Sequence, residues 1–328
     1  MKKYIVSALV TAVFTALVPA LPVFLGKNSV SAENFTAEYS NDGVYKVLDV
    51  PTGEVLEVPV REYVIGAVCV EMPATFEEEA LKAQAVAAHT YAERQKSKEL
   101  KNPTPELCGA YFSNDTSKYQ GYFTEKQAKQ YYGENFGENY KKVSKAVDEV
   151  IDCIITYDEE PIISAFHSMS SGKTESAENA WGTSVDYLVS VDSSYDRSAP
   201  KYEDTVTYEK DVLKYKLETA FPSVNLSENI EDWVTVNSVS DSGTVLTAMA
   251  GDLKVSGNDI RSALSLRSAC FTVEYSGETA VFTTHGFGHG VGMSQYGANA
   301  MAEEGKNWRD IIEHYYPSCT ICNVQCVN

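Results

Sequence analysis

The feature that most constrains the fold is an alanine-rich stretch at residues 78–91, which follows a single glutamate, Glu71. Alanine has the highest helix propensity of the amino acids, and its small side chain lets a neighbouring element approach the helix backbone closely. Thr75 and Glu78 have the spacing of a capping box, with Thr75 as the capping residue. The sequence therefore predicts a closely packed helix soon after Glu71.

Glu71 closes an apolar run that ends at Val70, and we expect this run to be a strand. Apolar neighbours disfavour the charged form of a carboxyl group and so raise its pKa. A carboxyl group that keeps its proton near neutral pH can act as a general acid. The spacing alone favours the alternative, in which a glutamate at a strand end is a solvated residue without a catalytic role.

Four polar side chains of the predicted helix are candidates for contact with a ligand. Lys82 and His89 share one stripe of the helix surface, and Gln84 and Tyr91 share another. Gln84 stands among small residues, and if it is buried it needs hydrogen-bond partners from the backbone or from a ligand.

Two later segments combine glycine with polar side chains. A strand predicted at residues 162–167 leads into a Ser/Gly loop that carries His167, Ser170 and Ser171. These side chains could line a site, although a histidine at such a position is more often a core residue bonded to the backbone.

The second segment, residues 285–292, holds four glycines between and after two histidines. This glycine density argues against a helix and favours a tight loop whose backbone can approach a ligand closely. Gln295 and Tyr296 follow the loop and carry groups that hydrogen-bond sugars. The alternative for His289 is a buried turn in which its hydrogen bonds are satisfied within the protein.

Three blocks of the chain, in this order, resemble the stage II sporulation protein D family. They are residues 71–91, 165–182 and 286–298, and they span most of the chain after residue 43. The resemblance implies a membrane-anchored lytic transglycosylase of peptidoglycan that acts in engulfment during sporulation. It also implies that Glu71 occupies the catalytic position, which reverses the interpretation that spacing alone favours.

With this resemblance we predict a cleft lined by Glu71, the loop at residues 167–172 and the loop at residues 289–296. The predicted substrate-binding residues are Lys82, Gln84, His89, Tyr91, His167, Ser170, Ser171, His289, Gln295 and Tyr296. One position departs from the family, whose usual Ala-Ala-Arg-Thr-Tyr reads Ala-Ala-His-Thr-Tyr here. His89 thus replaces a permanently charged group with one that titrates near neutral pH.

The predicted reaction is cleavage of the β-1,4 bond between N-acetylmuramic acid and N-acetylglucosamine, with a 1,6-anhydro product and no cofactor. The resemblance implies glycan strands as substrate, and a sporulation amidase and a polytopic membrane protein as partners. Two alternatives remain. One is a non-catalytic, glycan-binding amidase enhancer, and the other is a zinc peptidase built on the histidines, which the ligand geometry disfavours.

Charge restricts the partners further. The chain has 46 acidic and 27 basic residues and a net charge of −19. This argues against a nucleic-acid partner, which needs a basic surface. It also disfavours peptidoglycan with anionic stem peptides, so we expect glycan strands without peptides as the substrate.

The amino terminus predicts a membrane anchor. Lys2 and Lys3 precede an apolar stretch at residues 4–26, which is long enough to span a bilayer. Positive residues stay on the cytoplasmic side, so the rest of the chain would lie outside the cell membrane. The alternative is a cleaved secretory signal, because residues 30–32 resemble a small-residue cleavage site.

Seven cysteines leave at least one unpaired. Cys69 and Cys153 lie in apolar runs and are expected to be buried thiols. The tail with Cys319, Cys322 and Cys326 fits a disulfide or free thiols better than a zinc site. Members of the resembled family can carry a Cys/His metal site after the glutamate helix, but residues 111–120 hold no ligand pair, so we predict no metal there.

The predicted fold class is mixed α/β, with an extracytoplasmic core domain, a smaller α/β lobe, a cleft and an N-terminal transmembrane helix. The domains would be an anchor at residues 1–27, a core at residues 33–202 and 276–328, and a lobe at residues 203–275. We predict these elements: strands within 44–65 around a turn at 51–53, a helix near 125–131, a helix then a strand within 139–156, a helix near 209–219, strands at 233–239, 244–250, 270–275 and 280–284, and a helix at 299–304.

Overall fold

The computed structural model describes residues 43–324, which form a mixed α/β protein as the sequence predicts. Its α-helices are α1 (Val60–Glu71), α2 (Glu78–Lys101), α3 (Glu125–Tyr132), α4 (Phe136–Asp148), α5 (Ala177–Trp181), α6 (Lys210–Ala220), α7 (Gly257–Leu264), α8 (Gln295–Glu303) and α9 (Trp308–Tyr315). Its strands are β1 (Val44–Asp49), β2 (Glu54–Pro59), β3 (Phe112–Ser113), β4 (Cys153–Tyr157), β5 (Glu160–Pro161), β6 (Phe166–His167), β7 (Glu203–Glu209), β8 (Val234–Val239), β9 (Val245–Ala250), β10 (Leu253–Val255), β11 (Phe271–Ser276), β12 (Thr279–His285), β13 (Met293–Ser294) and β14 (Thr320–Asn323).

The predicted membrane anchor at residues 1–27 lies outside the described residues. Within residues 43–324, none of the helices is both long and apolar enough to span a bilayer.

The described chain divides into two compact units. Unit 1 contains residues 43–165, 301–313 and 318–324, and unit 2 contains residues 166–300 and 314–317. The predicted partition at residues 33–202, 203–275 and 276–328 stays a prediction.

Unit 1 is built around α2, which packs against α1, α4 and the strands β4 and β5, while the sheet of β1, β2 and β3 contacts α1. The helix is buried along most of its length because alanine lets its neighbours approach closely. Buried hydroxyl groups fix β4 and the segment before β6 to α2. Thr90 Oγ1 accepts the backbone N–H of Ile155 in β4 at 2.9 Å, and Ser164 Oγ donates to the carbonyl of Ala87 at 2.7 Å.

An aromatic cluster lies between α1 and the sheet of β1, β2 and β3 in unit 1. The ring of Tyr63 in α1 lies 5.1 Å from that of Tyr45, 5.0 Å from that of Phe112 and 5.1 Å from that of Tyr122, measured between centroids. Edge-to-face and tilted pairs at such distances add to the free energy gained by burying the rings. The cluster fixes α1 against the sheet of β1, β2 and β3.

Gly66 lets the segment after β3 lie directly on α1. The backbone N–H of Phe123 donates to the carbonyl oxygen of Gly66 at 3.0 Å. A β-carbon at residue 66 would overlap the carbonyl oxygen of Phe123. The missing side chain therefore sets how closely the chain near Gly121 approaches the end of α1.

The described strands of unit 2 form three sheets. Their strand orders are β10-β9-β8, β11-β12-β7 and β13-β6. Its main core packs α6 and α7 on the two three-stranded sheets. The core residues are Leu213, Leu217, Ile230, Trp233, Val234, Val245, Ala248, Ala250, Ile260, Leu264, Leu266, Phe271, Ala280 and Phe282.

The sequence predictions for 125–131, 139–156, 209–219 and the four later strands are confirmed to within a few residues. Three local predictions are wrong. The apolar run that ends at Val70, including residues 63–65, is helical in α1 rather than a strand, so Glu71 ends a helix. Most of this run is buried, and a short apolar run fits a helix or a strand equally well. Thr75 is not the capping residue, because the helix after Glu71 begins at Glu78 and its cap position is Glu77, which makes no side-chain capping bond. Within 162–167, only Phe166 and His167 form a strand.

The role of Gly66 generates the first prediction. We expect Gly66→Ala to lower the free energy of unfolding by about 1–3 kcal/mol, because the new methyl group must displace the Phe123 backbone. Urea unfolding followed by circular dichroism measures this change. The matched control is Gly137→Ala in α4, where an added β-carbon meets open space; it should be neutral or stabilising by up to about 1 kcal/mol. Equal effects of the two substitutions would contradict the proposed role of Gly66.

Candidate active site

Glu71 is the last residue of α1, and its side chain is only partly exposed. Burial raises the pKa of its carboxyl group to about 8, although the backbone N–H of Gly121 donates to the carboxylate and lowers the pKa in part. The negative end of the helix dipole also disfavours a carboxylate at this position, and the last turn of α1 contains no basic residue. Most molecules therefore hold this proton at pH 7.

Tyr63 and Tyr91 lie close enough to Glu71 for its charge to affect their pKa values. Burial raises the pKa of Tyr63 well above its ordinary value and that of Tyr91 to about 12, and the charge of Glu71 contributes to both shifts. Tyr91 Oη accepts the backbone N–H of Gln120 and the Nε2 group of Gln95, each at 3.2 Å. Both tyrosines thus remain neutral phenols. The sequence gives no signal for the segment of Gln120 and Gly121, because a backbone donor leaves no mark in the side-chain pattern.

The other three candidates of α2 lie in different surroundings. The Lys82 ammonium group contacts the carboxylates of Glu149 at 2.6 Å and Glu79 at 2.7 Å. Burial lowers the pKa of Lys82, but these two carboxylates raise it by more. Lys82 therefore ties α2 to the end of α4, and its contact with substrate stays a prediction.

Gln84 and His89 are both buried in unit 1. Burial lowers the pKa of His89, whereas the Glu93 carboxylate, 4.0 Å from its Nε2, raises it in part. A buried neutral imidazole thus occupies the position where the resembled family carries a charged guanidinium. Substrate binding by either residue stays a prediction.

In unit 2 the two predicted loops lie against each other. Met169 and Phe287 exchange backbone hydrogen bonds, with N–O distances of 3.1 Å and 2.7 Å. Gly286 and Gly288 have positive φ angles, and a β-carbon on either would collide with the loop that carries His167. The glycines are therefore needed for loop-to-loop packing, and the sequence prediction of a tight loop is confirmed.

The packing places His167 and His289 side by side, with ring centroids 5.7 Å apart. Burial lowers the pKa of His167 to about 4 and that of His289 well below its ordinary value. Both rings are thus neutral at pH 7. The side chain of Trp181 lies next to that of His289, with ring centroids 5.5 Å apart.

Asp196, which no sequence motif marks, holds the serines of the first loop. Its buried carboxylate accepts the backbone N–H and Oγ of Ser170 at 2.7 and 2.6 Å, Oγ of Ser193 at 3.0 Å and Oγ of Ser294 at 2.7 Å. Burial raises the pKa of Asp196, and these donors lower it in part. The Ser171 hydroxyl donates to the carbonyl of Ser242. The hydroxyl groups of both predicted serines therefore donate hydrogen bonds within the protein. Their contact with substrate stays a prediction.

Glu175 is the other buried carboxylate of unit 2. Burial raises its pKa, but the hydroxyls of Ser240 and Ser242, the side chain of Asn179 and the N–H of Ser176 lower it by more. Four donors on one carboxylate fit a fixed anion that holds the loop. Gln295 is buried and Tyr296 partly buried at the start of α8, and their contact with substrate also stays a prediction.

Glu71 and the predicted residues of α2 belong to unit 1, whereas the two loops belong to unit 2. The predicted cleft that combines them stays a prediction.

The cysteines of the described range are free thiols, and Cys69 and Cys153 are buried as predicted. Cys326 lies outside the described residues, so the prediction for the tail is not tested there. Within residues 43–324, no three side chains of His, Cys, Asp or Glu are grouped as a metal site.

Comparisons with known proteins agree with the resemblance seen in the sequence. Residues 50–157 match the family model described as SpoIID, stage II sporulation protein. Stage II sporulation protein D of Bacillus subtilis (strain 168) is 36% identical over 293 residues, which cover 89% of this chain and 82% of that protein. The protein of the same name from Bacillus amyloliquefaciens is 41% identical over 265 residues, covering 80% of this chain and 74% of that protein.

A protein named amidase enhancer, also from Bacillus subtilis (strain 168), is more distant. It is 26% identical over 308 residues, which cover 78% of this chain and 40% of that protein.

The pKa of Glu71 generates a stability prediction. Because the folded-state pKa, about 8, exceeds the ordinary value of 4.5, the folded protein binds a proton that the unfolded chain lacks between these two pH values. The stabilisation by this proton is complete below pH 4.5 and is lost as the pH rises through 8. Relative to Glu71→Gln, the wild type should lose up to about 1.4 kcal/mol per pH unit over this window.

Urea unfolding of both proteins at pH 5, 6, 7, 8 and 9 measures this difference. Glu62→Gln, at an exposed position of the same helix, controls for the loss of a charge. Parallel stability curves of wild type and Glu71→Gln would contradict a buried, protonated carboxyl group.

A further prediction concerns Asp196. We expect Asp196→Ala to lower the free energy of unfolding by about 3 kcal/mol or more, because it leaves several buried donors without an acceptor. Asp192→Ala is the control in the same loop. Asp192 is exposed, and its replacement should cost less than about 1 kcal/mol. Differential scanning calorimetry measures both, and a small effect of Asp196→Ala would overturn the assigned role.

Proposed function

Because the chain belongs to the stage II sporulation protein D family, we propose that it is a lytic transglycosylase that cleaves peptidoglycan glycan strands during engulfment. The observation that carries the proposal is the Glu71 carboxyl group, which keeps its proton at pH 7. Cleavage of a glycosidic bond needs a proton donor at the leaving oxygen, and a carboxyl group with a pKa near the working pH suits this task.

In the first step, Glu71 protonates the oxygen of the β-1,4 bond between N-acetylmuramic acid and N-acetylglucosamine. The bond from the anomeric carbon to this oxygen breaks, and the N-acetylglucosamine leaves with the proton. The resulting Glu71 carboxylate receives the N–H of Gly121, which stabilises the charge for the time that it exists.

In the second step, the Glu71 carboxylate takes the proton from the 6-hydroxyl group of the N-acetylmuramic acid. The 6-oxygen then bonds to the anomeric carbon and forms a 1,6-anhydro ring. The proton returns to Glu71, so the cycle consumes no water and needs no second catalytic acid. Glu175 fits this scheme, since its four donors suit a fixed anion rather than an acid or base.

The substrate proposed is a glycan strand without stem peptides. The net charge of −19 repels the anionic peptides of intact peptidoglycan. The proposal further places the protein at the cell membrane, with its described residues outside, where an amidase and a polytopic membrane protein of the engulfment machinery would be its partners.

The second candidate function is a glycan-binding protein that stimulates a separate amidase. The relative named amidase enhancer is the observation that favours it. Such a protein would bind the same strands, but it would produce no anhydro ends on its own.

The test is a product assay by mass spectrometry with residues 33–328 and peptide-free glycan. We expect 1,6-anhydro ends from the wild type and a loss of at least about 100-fold in rate for Glu71→Gln, because the amide has no acidic proton to give. Glu62→Gln should retain the wild-type rate. The wild-type rate should fall as the pH rises through about 8, where Glu71 loses its proton. Absence of anhydro ends with a folded wild type would favour the enhancer function, and undiminished product from Glu71→Gln would refute the catalytic role.

A further inference from the structure

Arg261 in α7 is a partly buried cation for which no carboxylate in residues 43–324 provides an ion pair. Its Nε donates to the carbonyl of Leu266 at 3.4 Å. Burial lowers the pKa of the guanidinium to about 10, so it stays charged at neutral pH. Removing a cation from water without a counter-charge costs free energy. In a chain with 46 acidic residues, a partly buried arginine without an ion pair among the described residues therefore indicates a site for an anion from outside the chain.

Arg261 adjoins the two neutral histidines of unit 2. Its charge contributes to the low pKa values of both His167 and His289. Asn258 lies one turn earlier in α7, and its Nδ2 donates to the carbonyl of Ala180 at 3.1 Å. This bond fixes α7 to the end of α5, where Trp181 packs beside His289. We refer to His167, Trp181, Arg261 and His289 as the Arg261 cluster.

The hydrogen bonds of the two histidines show which polar atom of the cluster has no partner. His167 Nδ1 lies 3.1 Å from the carbonyl of Val291, which can only accept, so Nδ1 carries the hydrogen and Nε2 carries a lone pair. This Nε2 is buried and has no partner among the described residues. His289 differs, because its Nδ1 accepts the N–H of Val291 and the ring bonds to the backbone of Phe166.

The cluster thus presents three complementary groups to a ligand. The guanidinium attracts a carboxylate, since it offers several donors in one plane. The lone pair of His167 needs a hydroxyl or amide N–H, because a buried acceptor without a donor is unfavourable. The rings of Trp181 and His289 offer flat apolar surface for the face of a sugar ring.

We propose that the Arg261 cluster binds an N-acetyl sugar that bears a free carboxylate, with the carboxylate on Arg261 and a hydroxyl or amide N–H on His167. The identity of this sugar rests on the proposed function, in which it is the N-acetylmuramic acid of a peptide-free strand. A stem peptide is joined to the lactyl carboxyl group of this sugar through an amide bond, so only the peptide-free residue carries the negative charge. The cluster therefore distinguishes glycan strands without stem peptides from strands that carry them.

The test measures binding, so that it does not depend on cleavage. Calorimetric titration of Glu71→Gln protein would use two ligands: a peptide-free glycan oligosaccharide, and the same oligosaccharide with its lactyl carboxylates converted to methylamides. We expect the free carboxylate to bind at least about tenfold more tightly, as a hydrogen bond to a charged group usually provides. Equal affinity for the two ligands would overturn the proposal.

Substitutions test whether the preference for the free carboxylate depends on Arg261. Arg261→Gln in the same background should bind both ligands with equal, weak affinity, and Arg261→Lys should keep part of the preference because it keeps the charge. Lys254→Gln is the matched control, since it removes one exposed positive charge from unit 2 and should keep the full preference. A preference that survives in Arg261→Gln, or that Lys254→Gln removes equally, would contradict the assignment to Arg261.

The two proposals fail separately. If Arg261→Gln does not fold, as judged by circular dichroism, the comparison of the two ligands and Arg261→Lys decide the outcome. If the product assay refutes Glu71 while the carboxylate preference persists, the cluster stands as a glycan site. If Glu71→Gln abolishes cleavage while both ligands bind equally, only the inference on Arg261 is overturned.

Discussion

The removal of the Glu71 carboxyl group from water is the constraint on which the account of this protein depends. A glutamate at the end of a helix would ordinarily be a solvated anion. Here the absence of a side chain at Gly66 lets the backbone of Phe123 lie on α1, and the same segment brings Gly121 to the carboxyl group. Burial makes the proton hard to lose, and the backbone N–H of Gly121 stabilises the carboxylate once the proton has gone. A carboxyl group with both properties suits a reaction in which one residue first gives a proton and then takes one.

Unit 2 uses charge in a different way. Asp196 and Glu175 are buried anions that are fully occupied by hydroxyl and N–H donors, and they fix the loops at residues 167–172 and 240–242. The histidines beside them are neutral because they are buried near Arg261. Arg261 is the exception, since it is a cation without an ion pair in the described chain. Within the described residues, the buried anions of unit 2 are satisfied by donors, whereas the partly buried Arg261 lacks an ion pair. This contrast is the basis for inferring an acidic ligand.

The sequence predicts the regular part of this structure well and the site only in part. The alanine-rich helix, the amphipathic helix at α4 and the strands of unit 2 follow from periodicity and propensity. The pattern does not distinguish a helix from a strand at residues 63–65, because that run is buried on all sides. Glu71, His167 and His289 were identified through three motif blocks of the family, and neither composition nor spacing would have assigned their roles. The sequence does not mark Asp196, Gly121 or Arg261. The roles of Asp196 and Gly121 come from contacts between distant parts of the chain, and that of Arg261 comes from the absence of an ion pair among the described residues.

The central claim is that Glu71 holds its proton at neutral pH, and a direct titration tests it. Selective ¹³C labelling of the glutamate side chains, followed by NMR titration of the folded protein and of Glu71→Gln, assigns the carboxyl resonance of Glu71 by its absence from the variant. The account predicts that this resonance titrates with a pKa of about 8. A pKa near the ordinary value of 4.5 would mean that the carboxyl group is solvated and ionised at pH 7, and it would contradict the assignment of Glu71 as the general acid.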